Sequence, residues 1–211
     1  MLNINIPETL LKKIYHIAHT NNIDYRLLLA TAKAESNFNN YAHRPEPQFY
    51  KKYMKDNESG WINEYKKIFK NIQTPSEDLL IHIFSSSYGM CQLMYTTALS
   101  NGFRGCPQEL YNEDINLQTA ARFLRHLYSK FPEIRTSHIE RMKFTIAAYN
   151  AGRGNINSML RLCRAYYNIS INQDGDWQKW DIAKEFLNKV TGNNADITIK
   201  HIERIIDILV I

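Results

Sequence analysis

Asp24-Tyr25-Arg26-Leu27-Leu28-Leu29-Ala30-Thr31-Ala32-Lys33-Ala34-Glu35-Ser36 reads as a helix with an acid at its far end. Asp24 is a residue type that caps helix N-termini, and Leu27, Leu28, Thr31 and Ala32 follow at helical spacing. Counting back by four from Glu35 gives Thr31 and Leu27, so the carboxylate stands in line with an apolar stripe. An acid placed there points toward an interior or a cleft. Desolvation in such a place disfavours the charged form, which suits a carboxyl to general-acid work. Taken alone, a glutamate pairing with a nearby lysine explains the position equally well.

Working outward, Leu10, Leu11, Ile14, Ile17 and Ala18 predict a first helix over about Glu8 to Asn21. The stretch from Tyr41 to Ser59 is polar and aromatic, with Pro45 and Pro47 in it. Trp61, Tyr65 and Phe69 then mark one helical face, a spacing that means core packing before it means sugar stacking. Thr74-Pro75-Ser76-Glu77 combines a capping box with proline at the first helical position. Ser85 to Gly89 leads into Met90-Cys91-Gln92-Leu93-Met94, which reads as a short apolar helix. Further helices are expected from about Asn112 to Phe131 and through Phe144–Ala151, the latter ended by Gly152. A turn at Asp174-Gly175-Asp176 precedes a helix holding Trp177 and Phe186, and residues 197–211 close the chain as an apolar helix. Glycine (8) and proline (6) are scarce, and neither a repeat nor a linker interrupts the pattern. The expected fold is all-α, in a single domain spanning residues 1–211.

Composition narrows the function classes. Of 211 residues, 44% are hydrophobic and 22% charged, ordinary values for a chain with a real core. A net charge of +5 is mildly basic and draws a protein toward polyanions, the bacterial wall among them. The lysines and arginines are not concentrated into a patch, which argues against nucleic acid. Cys91, Cys106 and Cys163 fit no disulfide framework and no zinc spacing, and the seven histidines include no HExxH. Cys91 sits in an apolar run, where a small buried hydrophobe is a better reading than a nucleophile. No apolar run is long enough to span a membrane. The opening residues lack a basic segment followed by an apolar one, so a signal peptide is not expected. A chain made in the cytoplasm and acting outside it would then need release, carriage in a virion, or a specialised secretion route.

Three clusters carry chemistry: Glu35-Ser36; Gly89-Met90-Cys91-Gln92-Leu93-Met94 with Thr97-Ala98 after it; and Ala147-Ala148-Tyr149-Asn150-Ala151-Gly152. Glycine lets backbone approach a ligand, and Gln92 offers both a donor and an acceptor. Each cluster alone has a plain structural reading: a capped helix with a polar residue on its wet side, or a core tyrosine near a helix end. Taken together and in this order, they resemble the soluble lytic transglycosylase (SLT) domain family, related in fold to goose-type lysozyme. Leu110-Tyr-Asn-Glu-Asp-Ile-Asn-Leu-Gln-Thr-Ala-Ala-Arg-Phe-Leu124 is also similar to that family's approach to a long helix. The resemblance covers about residues 24–165, with an insert over about 41–84 and further helices over about 166–211.

The resemblance implies a lysozyme-like helical domain with a helical insert between the catalytic glutamate and the Gly-x-x-Gln motif. It implies cleavage of the MurNAc-β-1,4-GlcNAc bond of peptidoglycan glycan strands, with Glu35 as the single general acid/base. The muramic acid C6 hydroxyl closes a 1,6-anhydro ring, and the substrate's acetamido group assists. Gln92, Tyr149, Asn150, Gly89, Met94 and Ser87 become the implied substrate contacts; Ser85 and Ser86 compete with Ser87 for the serine position. No metal or cofactor is implied, and a monomer is expected. The chain departs from the simplest members in Cys91 and in the insert, where Arg44-Pro45-Glu46-Pro47 is similar to an element of some phage-associated members.

Alternatives remain at this stage. A hydrolase would use water and a second carboxylate from Glu46, Asp56 or Glu58. An inactive wall-binding subunit and a chitin-cleaving relative are further readings. Because Pro45 and Pro47 restrict the backbone around it, Glu46 is expected close enough to Glu35 to touch substrate.

Overall fold

Helices dominate the computed structural model, which describes residues 5–69, 76–192 and 195–209. α1 (Glu8–Thr20) and α2 (Tyr25–Ser36) are followed by a short strand, β1 (His43–Pro45). The single turn α3 (Pro47–Phe49), a π-helical turn over Tyr50–Met54 and a 3-10 turn over Lys55–Asn57 lead into α4 (Glu58–Ile68). After α5 (Glu77–Phe84) come β2 (Ser86–Tyr88), β3 (Leu93–Met94) and α6 (Tyr95–Ser100). A 3-10 turn over Pro107–Tyr111 precedes the long α7 (Glu113–Tyr128). The chain continues through α8 (His138–Ala151), α9 (Arg153–Tyr167), α10 (Trp180–Ala183), α11 (Asn188–Thr191) and α12 (Ala195–Leu209). Two compact units emerge: Met1–Ala34 with Leu124–Ile211, and Glu35–Phe123.

The first unit is built from helices whose apolar faces follow the sequence periodicity. Leu10, Ile14, Ile17 and Ala18 of α1 are buried, as predicted. Asp24 caps α2 as predicted, accepting the Arg26 backbone N–H at 2.9 Å. Ser137 caps α8 through the Glu140 N–H at 3.0 Å. Both α9 and α12 pack on α8, and Trp177 and Trp180 are fully buried. Two expectations change here. Gly152, at φ +83°, ends α8 as predicted but also opens α9, a helix that the Gly152-Arg153-Gly154 run hides from propensity reasoning. The segment with Trp177 and Phe186 is a 3-10 turn (Asp176–Gln178), α10 and another 3-10 turn (Lys184–Phe186), not one helix.

The second unit departs further from a purely helical body. β1, β2 and β3 form an antiparallel sheet in that order, with Arg44 opposite Ser87 and Ser87 opposite Met94. Beneath it, Phe84, Tyr88, Tyr95, Phe103 and Leu110 share a core with Met54, Tyr65 and Leu80. Each large apolar side chain buried there contributes roughly 1.5–3 kcal/mol. Tyr65 and Phe69, with ring centroids 4.6 Å apart, serve packing as the helical spacing predicts; the Trp61 side chain lies outside the described residues. α5 begins later than its capping signal suggests. Ser76 is the N-cap, accepting from Leu79 N, while Thr74 and Pro75 lie outside the described residues.

Candidate active site

Glu35 sits in the last turn of α2, half-buried, as a carboxylate at the end of an apolar stripe should be. Thr31, one turn back, is buried and donates its hydroxyl to the Leu27 carbonyl at 2.8 Å. The helix stops abruptly after Ser36. Asn37 and Phe38 both take positive φ, +56° and +66°, a conformation that is costly for a bulky residue such as phenylalanine. Ser36 makes this exit specific: its hydroxyl donates to the Met90 carbonyl at 2.7 Å and accepts from Asn39 N at 2.9 Å.

That bond ties the end of α2 to the segment from Gly89 to Gln92, which is a hairpin turn between β2 and β3. The helix expected after Gly89 does not form. Gly89 and Gln92 have φ of +72° and +48°, both outside the right-handed helical region. Gly89 N donates to the Ala42 carbonyl at 2.8 Å, and Gln92 N donates back to Gly89 O at 3.0 Å. Cys91 lies inside the turn, fully buried. Burial pushes its thiol well above the ordinary range, and the Glu35 charge pushes it further in the same direction. The thiol is therefore inert, and the Ser36 bond to Met90 brings the end of α2, one residue past Glu35, to this turn.

Asn116 of α7 holds the turn shut. Its amide nitrogen donates to the carbonyls of Tyr88 at 3.0 Å and Leu110 at 2.9 Å, and its oxygen accepts from Cys91 N at 2.8 Å. Sequence reasoning missed this residue, although the signal was present. Asn116, Ala120 and Leu124 share one stripe by the i, i+4 rule that singles out Glu35.

Gln92 is buried rather than on the wet side of a helix. Its amide nitrogen donates to the Gly89 carbonyl at 2.9 Å, and Ser87 Oγ lies 3.0 Å from its amide oxygen. The three serines separate cleanly. Ser85 and Ser86 turn back to donate to Ile81 O and His82 O, both at 2.7 Å. Ser87 shares its single hydrogen between Gln92 and the Arg44 carbonyl 3.3 Å away. Met94 stands opposite Ser87 in the sheet and is half-buried.

Glu46 follows β1, which is extended as Pro45 requires, but Glu46 itself is the N-cap position of α3. Its backbone N–H donates to Ser85 O at 2.7 Å, and its carboxylate is paired with Arg44. Asp56 is exposed in the 3-10 turn over Lys55–Asn57, and the Glu58 side chain lies outside the described residues. Tyr149 and Asn150 belong to the first unit, half-buried in the last turn of α8. Asn150 donates to the Ile146 carbonyl one turn back, at 3.0 Å. Among the described residues, His, Cys, Asp and Glu side chains form no cluster of three or more able to hold a metal ion, and no helix is long and apolar enough to cross a membrane.

A half-buried glutamate ending a helix is thus braced, through the next serine, to a glycine-opened turn that carries a glutamine, on a lysozyme-like helical fold. The family described as "Transglycosylase SLT domain" matches residues 13–172, and the chain belongs to it. This is a family of peptidoglycan transglycosylases, so peptidoglycan is the substrate class. No curated protein matches the chain.

Proposed function

We propose that this chain is a lytic transglycosylase that cleaves the MurNAc-β-1,4-GlcNAc bond and leaves 1,6-anhydro-MurNAc, with Glu35 as general acid and then general base. The observation that carries the reading is the end of α2, with Glu35 half-buried in its last turn and Ser36 bonded to Met90 of the Gly89–Gln92 turn, which Asn116 holds through Cys91. In the first step the Glu35 carboxyl gives its proton to the glycosidic oxygen as the C1–O4 bond breaks, releasing the GlcNAc 4-hydroxyl. In the second, the carboxylate takes the proton of the MurNAc C6 hydroxyl while O6 bonds to C1, which closes the anhydro ring. The proton returns to Glu35 and no water is consumed. Assistance from the substrate's acetamido group removes the need for a second protein carboxylate.

The engagement of Glu46 by Arg44 supports this division of labour. The Glu46 carboxylate is occupied by the Arg44 side chain, whereas the hydrolase alternative needs a carboxylate free to hold a water against the sugar. Gln92, Ser87, Gly89 and Met94 in the second unit, and Tyr149 and Asn150 in the first, are the proposed substrate contacts, carried over from the family resemblance. Replacing Glu35 with glutamine keeps the shape and removes the proton donor. Turnover of purified sacculi should fall about a hundredfold or more while the melting temperature stays near wild type. Activity within a fewfold of wild type would end the proposal.

A further inference from the structure

A cavity of about 560 Å³ opens in the first unit where residues 22–27, the last turn of α7 and the start of α8 meet. Leu27 and the Tyr128 ring give it an apolar wall; Asp24, His138, Arg125 and Arg141 give it charge. Its size is that of a small-ligand site.

The polar groups on one side are already satisfied by one another. Arg26 pairs with Asp24 at 2.6 Å, so the carboxylate's charge is matched. His138 Nε2 lies 3.2 Å from Asp24 Oδ2, and Tyr128 OH lies 2.8 Å from His138 Nδ1. Because a carboxylate only accepts, His138 donates to it through Nε2 and accepts the hydrogen bond of the Tyr128 hydroxyl at Nδ1. This chain fixes the Tyr128 ring and leaves Asp24 no surplus charge.

The two arginines differ. Arg125 is anchored by Nη1, which donates to the Asn22 carbonyl at 2.6 Å. Arg141 donates Nε to the Tyr128 carbonyl at 3.0 Å and stacks over that ring with its guanidinium carbon 4.1 Å from the centroid. Both keep other guanidinium N–H groups unspent, and among the described residues neither pairs with a carboxylate. Two guanidinium groups, each held at one edge and open at the other, line one cavity. That arrangement suits an oxyanion, because the planar fork matches carboxylate and phosphate and little side-chain freedom is lost on binding.

We propose that the first unit carries a second binding site, for a compact oxyanion held by Arg125 and Arg141. The inference does not rest on the role given to Glu35. Wall peptides carry carboxylates and other wall polymers carry phosphate, and both present this chemistry. The test is calorimetric titration of the full chain, at low ionic strength, with N-acetyl-L-Ala-D-Glu, with the same dipeptide fully amidated, and with inorganic phosphate. At least one oxyanion should bind saturably, and Arg125→Gln should weaken it about tenfold or more, as loss of a charge-assisted fork implies. Arg141→Lys, which keeps the charge and the stem but loses the fork, should weaken it in the same direction. Arg161→Gln, in a separate cavity of the same unit, should leave it unchanged. Binding of the dipeptide that is lost on amidation assigns the site to peptide carboxylates; equal or tighter binding of phosphate assigns it to phosphate. Absence of saturable binding by either, or binding that survives both arginine substitutions, overturns the proposal.

Discussion

Gly89 in the second unit and Gly152 in the first use the same backbone device for different ends. Both take positive φ, +72° and +83°, where the chain must change direction. Around Gly152 nothing lies within 4 Å of where a Cβ would sit, and the glycine separates two helices packed by apolar faces. At Gly89 a Cβ would meet the Leu110 carbonyl at 2.2 Å and the Asn116 amide at 2.3 Å. One glycine turns a corner in open space. The other is a contact surface, and the turn it opens is held by the Ser36 and Asn116 side chains and the Ala42 carbonyl, from three distant parts of the sequence. The first unit is held mainly by apolar packing at helical period; the Gly89–Gln92 turn of the second is held by a polar clamp.

Alanine at the two glycines should separate these regimes most widely. Gly89→Ala adds a backbone collision to the conformational strain and should cost about 4 kcal/mol or more, with activity lost. Gly152→Ala carries the strain alone, about 1–3 kcal/mol. Urea unfolding followed by circular dichroism measures both, and equal costs would break the comparison.

The polar clamp gives the next effect in size. Asn116→Ala leaves the Cys91 N–H and the Tyr88 and Leu110 carbonyls without this partner in a buried place, at about 1–3 kcal/mol for each group left unmet. Asn116→Leu, which restores bulk without hydrogen bonds, should be no better. In the first unit, by contrast, the volume-conserving Met159→Leu should cost less than about 1.5 kcal/mol. Rescue of Asn116→Ala by leucine would mean that the clamp is packing after all.

The smallest effect is one of pH, and it belongs to the first unit. Burial acts to raise the Asp24 carboxyl, but hydrogen bonds from Arg26 and His138 outweigh it and hold the group down at about 2, below its ordinary 3.8. A depressed acid contributes stability that is present above its unfolded value and lost as pH falls through its folded one. The advantage of wild type over Asp24→Asn should therefore be full above about pH 4 and fade toward pH 2. Unfolding midpoints of both proteins across that range check it; a difference that does not change with pH would contradict the assigned pairing.

The same contrast explains what could be read in advance. α1, α2, α7, α8 and α12 follow from apolar spacing and caps, and Glu35 draws attention because it stands in line with such a stripe. The hairpin at Gly89 was misread as a helix because Met90, Cys91, Leu93 and Met94 are apolar at short range. What forbids a helix there lies in Ala42, Leu110 and Asn116, far away in sequence. Phe38 at positive φ gives no local sign, since no propensity places phenylalanine in that region. Glu46 was expected beside Glu35; the structure pairs its carboxylate with Arg44 and its backbone N–H with Ser85, the latter a bond that only the sheet register reveals.

The central claim is that Glu35 works without a water-activating partner, and the products state this directly. Sacculi digested to completion by the purified chain, then analysed by mass spectrometry without chemical reduction, should yield muropeptides ending in 1,6-anhydro-MurNAc, lighter by one water than their hydrolysed counterparts. Glu35→Gln should yield almost none. Reducing-end MurNAc as the main wild-type product would contradict the account and return a second carboxylate to the mechanism.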